Sequence, residues 1–256
     1  LLNAKSETGT VSGILLKADN RSEHKGVIME VVAIKNLKTL SHSQKEEILR
    51  MAERYSLDLV NRPISADHPM FGVVRAWMLT DIALQLDPAI SLQINSEVVI
   101  AVNVASKIIG FMTLSRANDS ATACGINYIC VDSAHRNQGV MTAMIDSLKP
   151  RFTDIALSCF PTLVEAYEKI GFVMCEAQGA QVAMRIGDSY NMNVIDPNYL
   201  NNQRDVSQEA QRLINELGPK RAVAVNDEYD AETKRISKEV AAFVEQRRTA
   251  ASQTDD

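Results

Sequence analysis

The sequence predicts an α/β fold: a mixed, mostly antiparallel sheet flanked by helices, with a helical C-terminal extension. Three observations predict it. Short β-rich apolar runs at Val27–Ile34, Gly125–Val131 and Asp154–Phe160 alternate with segments of helical period. The runs Val98–Ala105 and Lys107–Leu114 nearly touch, as the arms of an antiparallel hairpin do. Beyond about residue 190 the composition turns polar and the only remaining period is helical. The order strand, helix, helix, three strands, helix, strand, helix, two strands is that of helices covering a sheet.

Residues 1–25 are polar and mixed, with one apolar run at Ile14-Leu15-Leu16, and are set apart as an N-terminal segment. Ser43-Gln44-Lys45-Glu46 has the spacing of a capping box and opens a helix carrying Ile48, Leu49, Ala52, Tyr55 and Leu59. Pro63 and Pro69 punctuate a loop. A second helix fits 70–86, with Phe71, Val74, Met78 and Ile82 on one stripe. Val73, Trp77 and Leu84 lie off that stripe, which predicts burial on more than one side.

After the hairpin, a polar loop at 116–123 leads into the strand 125–131. Met141, Met144, Ile145 and Leu148 then form a helix face that starts near Gln138 and stops at Pro150. Pro161 suits a first helical position, and Leu163, Ala166, Tyr167 and Ile170 share a face before Gly171 caps the end. Phe172–Cys175 and Gln181–Ile186 close as a hairpin around Gly179.

Residues 26–187 therefore read as one domain, and 188–256 as a linker plus helical extension. The linker, 188–204, is rich in Asn, Asp and Tyr. Ser207–Leu217 is a short helix ended by Gly218-Pro219. Glu228–Arg248 is a longer charged helix with the narrow stripe Ile236, Val240, Phe243 and Val244. The stretch Thr249–Asp256 reads as disordered.

With 256 residues, 46% of them hydrophobic, the chain buries a sizeable core. A net charge of −5 argues against general nucleic-acid binding, which needs a concentrated basic face. No apolar stretch approaches the roughly 20 residues that span a bilayer, and no secretory signal is visible. Cys124, Cys130, Cys159 and Cys175 lack metal or C-x-x-C spacing, so they read as packing thiols of a cytoplasmic protein, with no metal site. The chain opens on Leu1, as a processed or trimmed product does, or a piece of something longer.

The chemistry-bearing segment is Tyr128 to Ile145. An apolar strand runs into a turn, and a helix begins with free N–H groups and a dipole that favour an anion. Gly139 removes a side chain where a phosphate approaches, and Arg136 adds charge. By spacing alone this is either an anion cradle or a plain strand-to-helix turn.

Arg136-Asn137-Gln138-Gly139-Val140-Met141 resembles the coenzyme A loop of the GCN5-related N-acetyltransferases, Q/R-x-x-G-x-G/A. Ile129-Cys130-Val131 is similar to that family's splayed strand, whose backbone bonds the pantetheine arm. Val164-Glu165-Ala166-Tyr167-Glu168-Lys169-Ile170-Gly171-Phe172 resembles its A-x-x-L-Y-x-K-x-G-F segment. The resemblance covers about residues 27–187. It implies acetyl-CoA as co-substrate, held by Ile129, Cys130, Val131, Arg136, Asn137, Gln138, Gly139, Val140, Met141 and Thr142. It implies Tyr167 as the acid that protonates the departing thiolate, a proton the chemistry requires. Met141 departs from the family's Gly or Ala, Ser133 from its Pro, and Phe160 from its Asn.

No base is named. From Val98 to Val131 the only carboxylate is Asp119, in a loop; Glu97 precedes the first central strand, Tyr128 lies near the cleft, and His135 reads as a surface turn residue. The expectation is acetyl transfer to an amine, either a small molecule or a protein. The alternative is a catalytically degenerate domain serving as an interaction or structural subunit of a larger assembly, for example a viral particle or toxin complex. The C-terminal helices suit docking on a partner, on a second copy or on the domain's own back. No nucleic acid and no membrane is expected as a partner. A nucleotide-dependent kinase or hydrolase fails for lack of Gly-Lys-Ser/Thr.

Overall fold

The structure, a computed structural model, describes residues 13–14, 29–188, 190–192 and 194–254, with backbone alone for 13–14 and 251–254. Apart from 13–14, the N-terminal polar segment lies outside the described residues, as do Val27, Ile28 and the last two residues of the chain.

One eight-stranded sheet runs through the molecule in the order β1-β2-β3-β4-β5-β6-β8-β7. The strands are β1 Gly13–Ile14, β2 Met29–Ile34, β3 Ser96–Asn103, β4 Ile108–Arg116, β5 Ala123–Val131, β6 Asp154–Cys159, β7 Val173–Gln178 and β8 Gln181–Ile186. Neighbours are antiparallel except β5 and β6, which are parallel and paired only from Ala123–Gly125 to Asp154–Ala156.

The helices are α1 His42–Arg54, α2 Ser56–Leu59, α3 Phe71–Gln85, α4 Pro88–Ile94, α5 Val140–Asp146, α6 Val164–Glu168, α7 Pro197–Asn201, α8 Arg204–Leu217 and α9 Pro219–Thr254. Both faces of the sheet are covered, and β3 displays the reason in its alternation. Val99 and Ala101 join the core with Val140, Met144 and Ile145 of α5, Tyr167 of α6, and Val240 and Val244 of α9. Val98 and Ile100 turn the other way, to Ile48 and Met51 of α1 and Met78 and Ile82 of α3. A strand buried on both faces reads as a continuous apolar run, as this one does.

Local chemistry moved several boundaries. The capping box forms at Ser41, whose hydroxyl accepts from Gln44 N–H while the Gln44 side chain accepts from Ser41 N–H. Ser43 and Glu46 lie inside the helix instead. Helical geometry breaks at Tyr55 (φ −108°, ψ 27°), so the expected single helix is α1 followed by the one turn of α2. The short α4 carried a start signal that was not read: Asp87 accepts from Ala89 and Ile90 N–H, and Pro88 follows it. β3 begins at Ser96, so Glu97 is inside the strand, buried and paired with Arg151 (2.5 Å) and Arg116 (3.9 Å).

α5 starts at Val140 rather than near Gln138, because Asn137 (φ 59°) and Gly139 (φ 79°) stand in the left-handed region. Pro161–Leu163 is a 3₁₀ turn, and its tighter winding shifts the phase. Leu163 is consequently exposed, and Val164 and Tyr167 face the core. The expected linker contains α7, and α9 begins at Pro219, directly after Gly218. It runs to Thr254, so Thr249–Thr254 is helix rather than disordered. The stripe Ile236, Val240, Phe243 and Val244 packs on the chain's own sheet, and α8 packs on α3.

Candidate active site

β5 and β6 share a ladder only as far as Gly125 and Ala156. Beyond it β5 stays with β4 and β6 with β8, so the two strands part. The wedge between them holds a cavity of about 80 Å³, lined by Ile126–Ile129 of β5, Leu157–Cys159 of β6, Phe160 and Tyr167. Asp58 and Leu59 of α2 close another side.

The open edge of β5 follows from strand alternation. Asp132 N–H donates to Ile109 O (2.9 Å), so the backbone of Cys130 turns to β4 and that of Ile129 and Val131 turns away. Arg136 Nε donates to the outward Val131 carbonyl (3.1 Å). Of the three strand residues the sequence singled out, Ile129 and Val131 thus present backbone to the wedge side. Cys130 does not, and burial pushes its thiol up to about 12.

Tyr167 is buried, with its ring edge-on to Phe172 at 5.7 Å. Burial, with a smaller push from Cys159, raises its phenol, so the hydroxyl stays protonated. Burial also pushes the Cys159 thiol up to about 12, which leaves it inert.

At the end of β5, Asp132 caps the 3₁₀ turn Ser133–His135 by accepting from Ala134 N–H. No side chain caps α5, and its first bond is Ala143 N–H to Gly139 O (2.9 Å). The N–H groups of Val140, Met141 and Thr142 therefore precede the helical ladder and remain open to an anion. A Cβ at Gly139 meets nothing within 4 Å, so the glycine serves the backbone angle rather than creating the space. Asn137 is exposed, and Gln138 donates to Ala134 O (2.8 Å). Met141 is half-buried and packs on the sheet's core.

Arg136 is committed elsewhere. It donates to Asp58 Oδ2 (2.7 Å), and its guanidinium lies 4.8 Å from the centre of the Tyr55 ring. The Tyr55 hydroxyl accepts from Ser133 N–H (2.8 Å) and lies 3.2 Å from Asp132 Oδ2. Burial works to raise the Asp132 carboxyl, but bonds from Ala134 N–H, His135 and Tyr55 hold it below its ordinary range. Sequence reading missed Tyr55 and Asp58, which lie 78 residues from the loop they grip, and Asp132, whose signal as the cap of the turn that follows it is local. Tyr128 lines the wedge, and its hydroxyl donates to Asp81 of α3 (2.7 Å). Among the described residues, no group of three or more His, Cys, Asp or Glu is placed to hold a metal, and no helix is long and apolar enough to cross a membrane.

A mostly antiparallel sheet that splits between its two parallel strands, beside an uncapped helix start, is the architecture of the acyl-CoA N-acyltransferase fold. Residues 95–174, from β3 into β7, match the family model of the acetyltransferase (GNAT) domain. Solved structures similar to the chain include nourseothricin acetyltransferase, at 19% identity over 36% of this chain and 64% of that one, TM-score 0.32. Another is the ribosomal-protein-S5-alanine acetyltransferase of Vibrio fischeri, at 18% identity over 64% of this chain and 95% of that one, TM-score 0.43. A third is a GNAT-family acetyltransferase of Staphylococcus aureus Mu50, at 17% identity over 60% of this chain and 97% of that one, TM-score 0.40. The chain thus spans less than two thirds of nourseothricin acetyltransferase. A comparison with curated protein sequences finds no match.

Proposed function

We propose that the chain transfers an acetyl group from acetyl-CoA to a primary amine by direct attack. The observation that carries this reading is the wedge between β5 and β6, with Tyr167 on its wall and the uncapped turn of α5 past the end of β5. The outward backbone of Ile129 and Val131 offers a ladder edge for an extended amide-bearing arm. Arg136, Asn137, Gln138, Gly139, Val140, Met141 and Thr142 form the anion end, with open space over Gly139. The residues fit the co-substrate along its arm and, through the uncapped N–H groups of α5, at its phosphate end, where Arg136 has to leave Asp58 to join them. At the acyl end the cavity of about 80 Å³ is small, and Asp58 and Leu59 have to give way.

The thioester supplies an activated acyl carbon and a thiolate leaving group. The chain's part is to orient the amine, exclude water and protonate the thiolate, which falls to Tyr167. Burial keeps that hydroxyl protonated for the task. A second reading, a catalytically degenerate domain of this fold that serves as a structural or interaction subunit without acetyl-CoA, draws on Asp58, which already neutralises Arg136. Calorimetric titration with acetyl-CoA separates the two. Micromolar binding that Gly139→Glu abolishes supports transfer; no heat, or binding indifferent to the substitution, overturns it.

A further inference from the structure

Tyr128 stands between two cavities. It lines the wedge, and it also lines a second cavity of about 210 Å³ between α3 and α9. Val73, Val74 and Trp77 of α3 and Tyr229 of α9 supply an apolar and aromatic lining. The Tyr229 hydroxyl is buried and has no hydrogen-bond partner among the described residues. Arg62 and Asp230, paired at 3.3 Å, also line the cavity. The helical extension therefore completes a chamber that the sheet and α3 leave open on one side.

The second observation is chemical. The Tyr128 hydroxyl donates to Asp81 Oδ2 at 2.7 Å, and Asp81, half-buried, lines neither cavity itself. Burial raises the Asp81 carboxyl against the opposing bonds from Tyr128 and Gln85, which brings it closer to the range of a working base.

We propose that the second cavity receives the acceptor, a primary amine on a compact apolar body, and that its ammonium proton leaves through the Tyr128 hydroxyl to the Asp81 carboxylate. The proposal rests on the acetyl-transfer reading of the wedge. The chamber is smaller than the roughly 300 Å³ at which drug-sized sites begin, which selects a small molecule over a folded chain. Aromatic rings attract a cation; the Tyr229 ring already has the Arg62 guanidinium 5.7 Å from its centre, so the ring left for the ammonium is that of Trp77.

The proton count closes. The ammonium gives one proton to the Tyr128 oxygen as the tyrosine's own proton passes to Asp81. The neutral nitrogen bonds the acyl carbon, and the carbon–sulfur bond breaks. Tyr167 protonates the thiolate, and the nitrogen's second proton replaces the one Tyr167 gave. Asp81 then releases its proton to solvent.

The test uses the full chain, acetyl-CoA and three probes: 2-phenylethylamine, which is protonated at neutral pH, aniline, which is neutral there, and a lysine peptide. Turnover is read by thiol release and acetyl-CoA affinity by calorimetry. The wild type is expected to acetylate 2-phenylethylamine. Asp81→Asn and Tyr128→Phe are expected to lower its kcat by about 100-fold, with KM and acetyl-CoA affinity unchanged, and to slow aniline far less. Asn226→Trp, at an exposed position on α9 that lines the cavity, is expected to raise the amine KM about tenfold in a folded protein. The proposal is overturned if acetyl-CoA binds but 2-phenylethylamine is not acetylated, if only a lysine peptide accepts the acetyl group, or if Asp81→Asn slows both amines equally. Failure to bind acetyl-CoA overturns the transfer reading itself, and this inference with it.

Discussion

Arg136 and Asp58 form an ion pair at 2.7 Å that ties the loop after β5 to α2. The same guanidinium lies over Tyr55, so the cation offered to an incoming phosphate is already engaged. Both side chains are about half exposed, and pairs of that kind contribute about 0.2–1 kcal/mol. Asp58→Asn removes the competitor and one wall charge of the wedge. Acetyl-CoA affinity, measured by calorimetry, is expected to tighten up to about fivefold, with little change in melting temperature. Weaker binding in this variant would mean that Asp58 orders the loop rather than competing for it.

Tyr167→Phe separates chemistry from binding. Removing the proton donor is expected to lower kcat by about 100-fold while acetyl-CoA affinity stays within a factor of about two. An acid works only while protonated, and burial places this phenol above its ordinary value of 10.0. Activity limited by Tyr167 therefore persists through pH 10 rather than falling below it, as a kcat profile would reveal.

Gly139 adopts φ 79° with nothing within 4 Å of a would-be Cβ, so Gly139→Ala is penalised by backbone strain and not by a clash. The expected cost is about 1–2 kcal/mol in urea denaturation. Gly187→Ala adds a clash to strain, because its Cβ would run into Asp154 Oδ1 and the Thr153 carbonyl. It is expected to cost more than the change at Gly139. Equal losses would refute the distinction.

α9 is held to the sheet by Val240 and Val244, both buried, and by Arg247, whose guanidinium reaches both oxygens of Glu168 (2.7 Å). Val244→Ala is expected to cost about 1.5–3 kcal/mol, close to the worth of a buried valine. Arg247→Ala is expected to cost less, about 1 kcal/mol, since the pair is a third exposed. Chemical denaturation checks both. Arg247 acts on the helix that carries Tyr167, so a fall in kcat larger than the loss of stability explains would mark it as a positioning residue.

Much of the candidate site's backbone was legible because its determinants are local. The run into Val131, the glycine at 139 and the Tyr167-Glu168-Lys169-Ile170-Gly171-Phe172 segment each sit within one turn or strand, where neighbouring residues dictate conformation. Boundaries slipped where two local signals competed. The cap expected at Ser43 is formed two residues earlier by Ser41, whose backbone is extended (ψ 157°). Asp87-Pro88 was an unread start signal of the same local kind.

The sequence by itself determined the alternation of strands and helices, the apolar hairpin of β3 and β4 and the strand-to-helix turn at 136–142. It did so because periodicity and left-handed backbone demands act over a few residues. Only the tertiary structure decided that Arg136 is paired with Asp58, that Tyr128 meets Asp81, and that α9 closes a chamber against α3. Those contacts join residues 78, 47 and more than 100 positions apart. They arise when sheet faces bury their apolar sides, and side chains far apart in the chain then share one low-dielectric space.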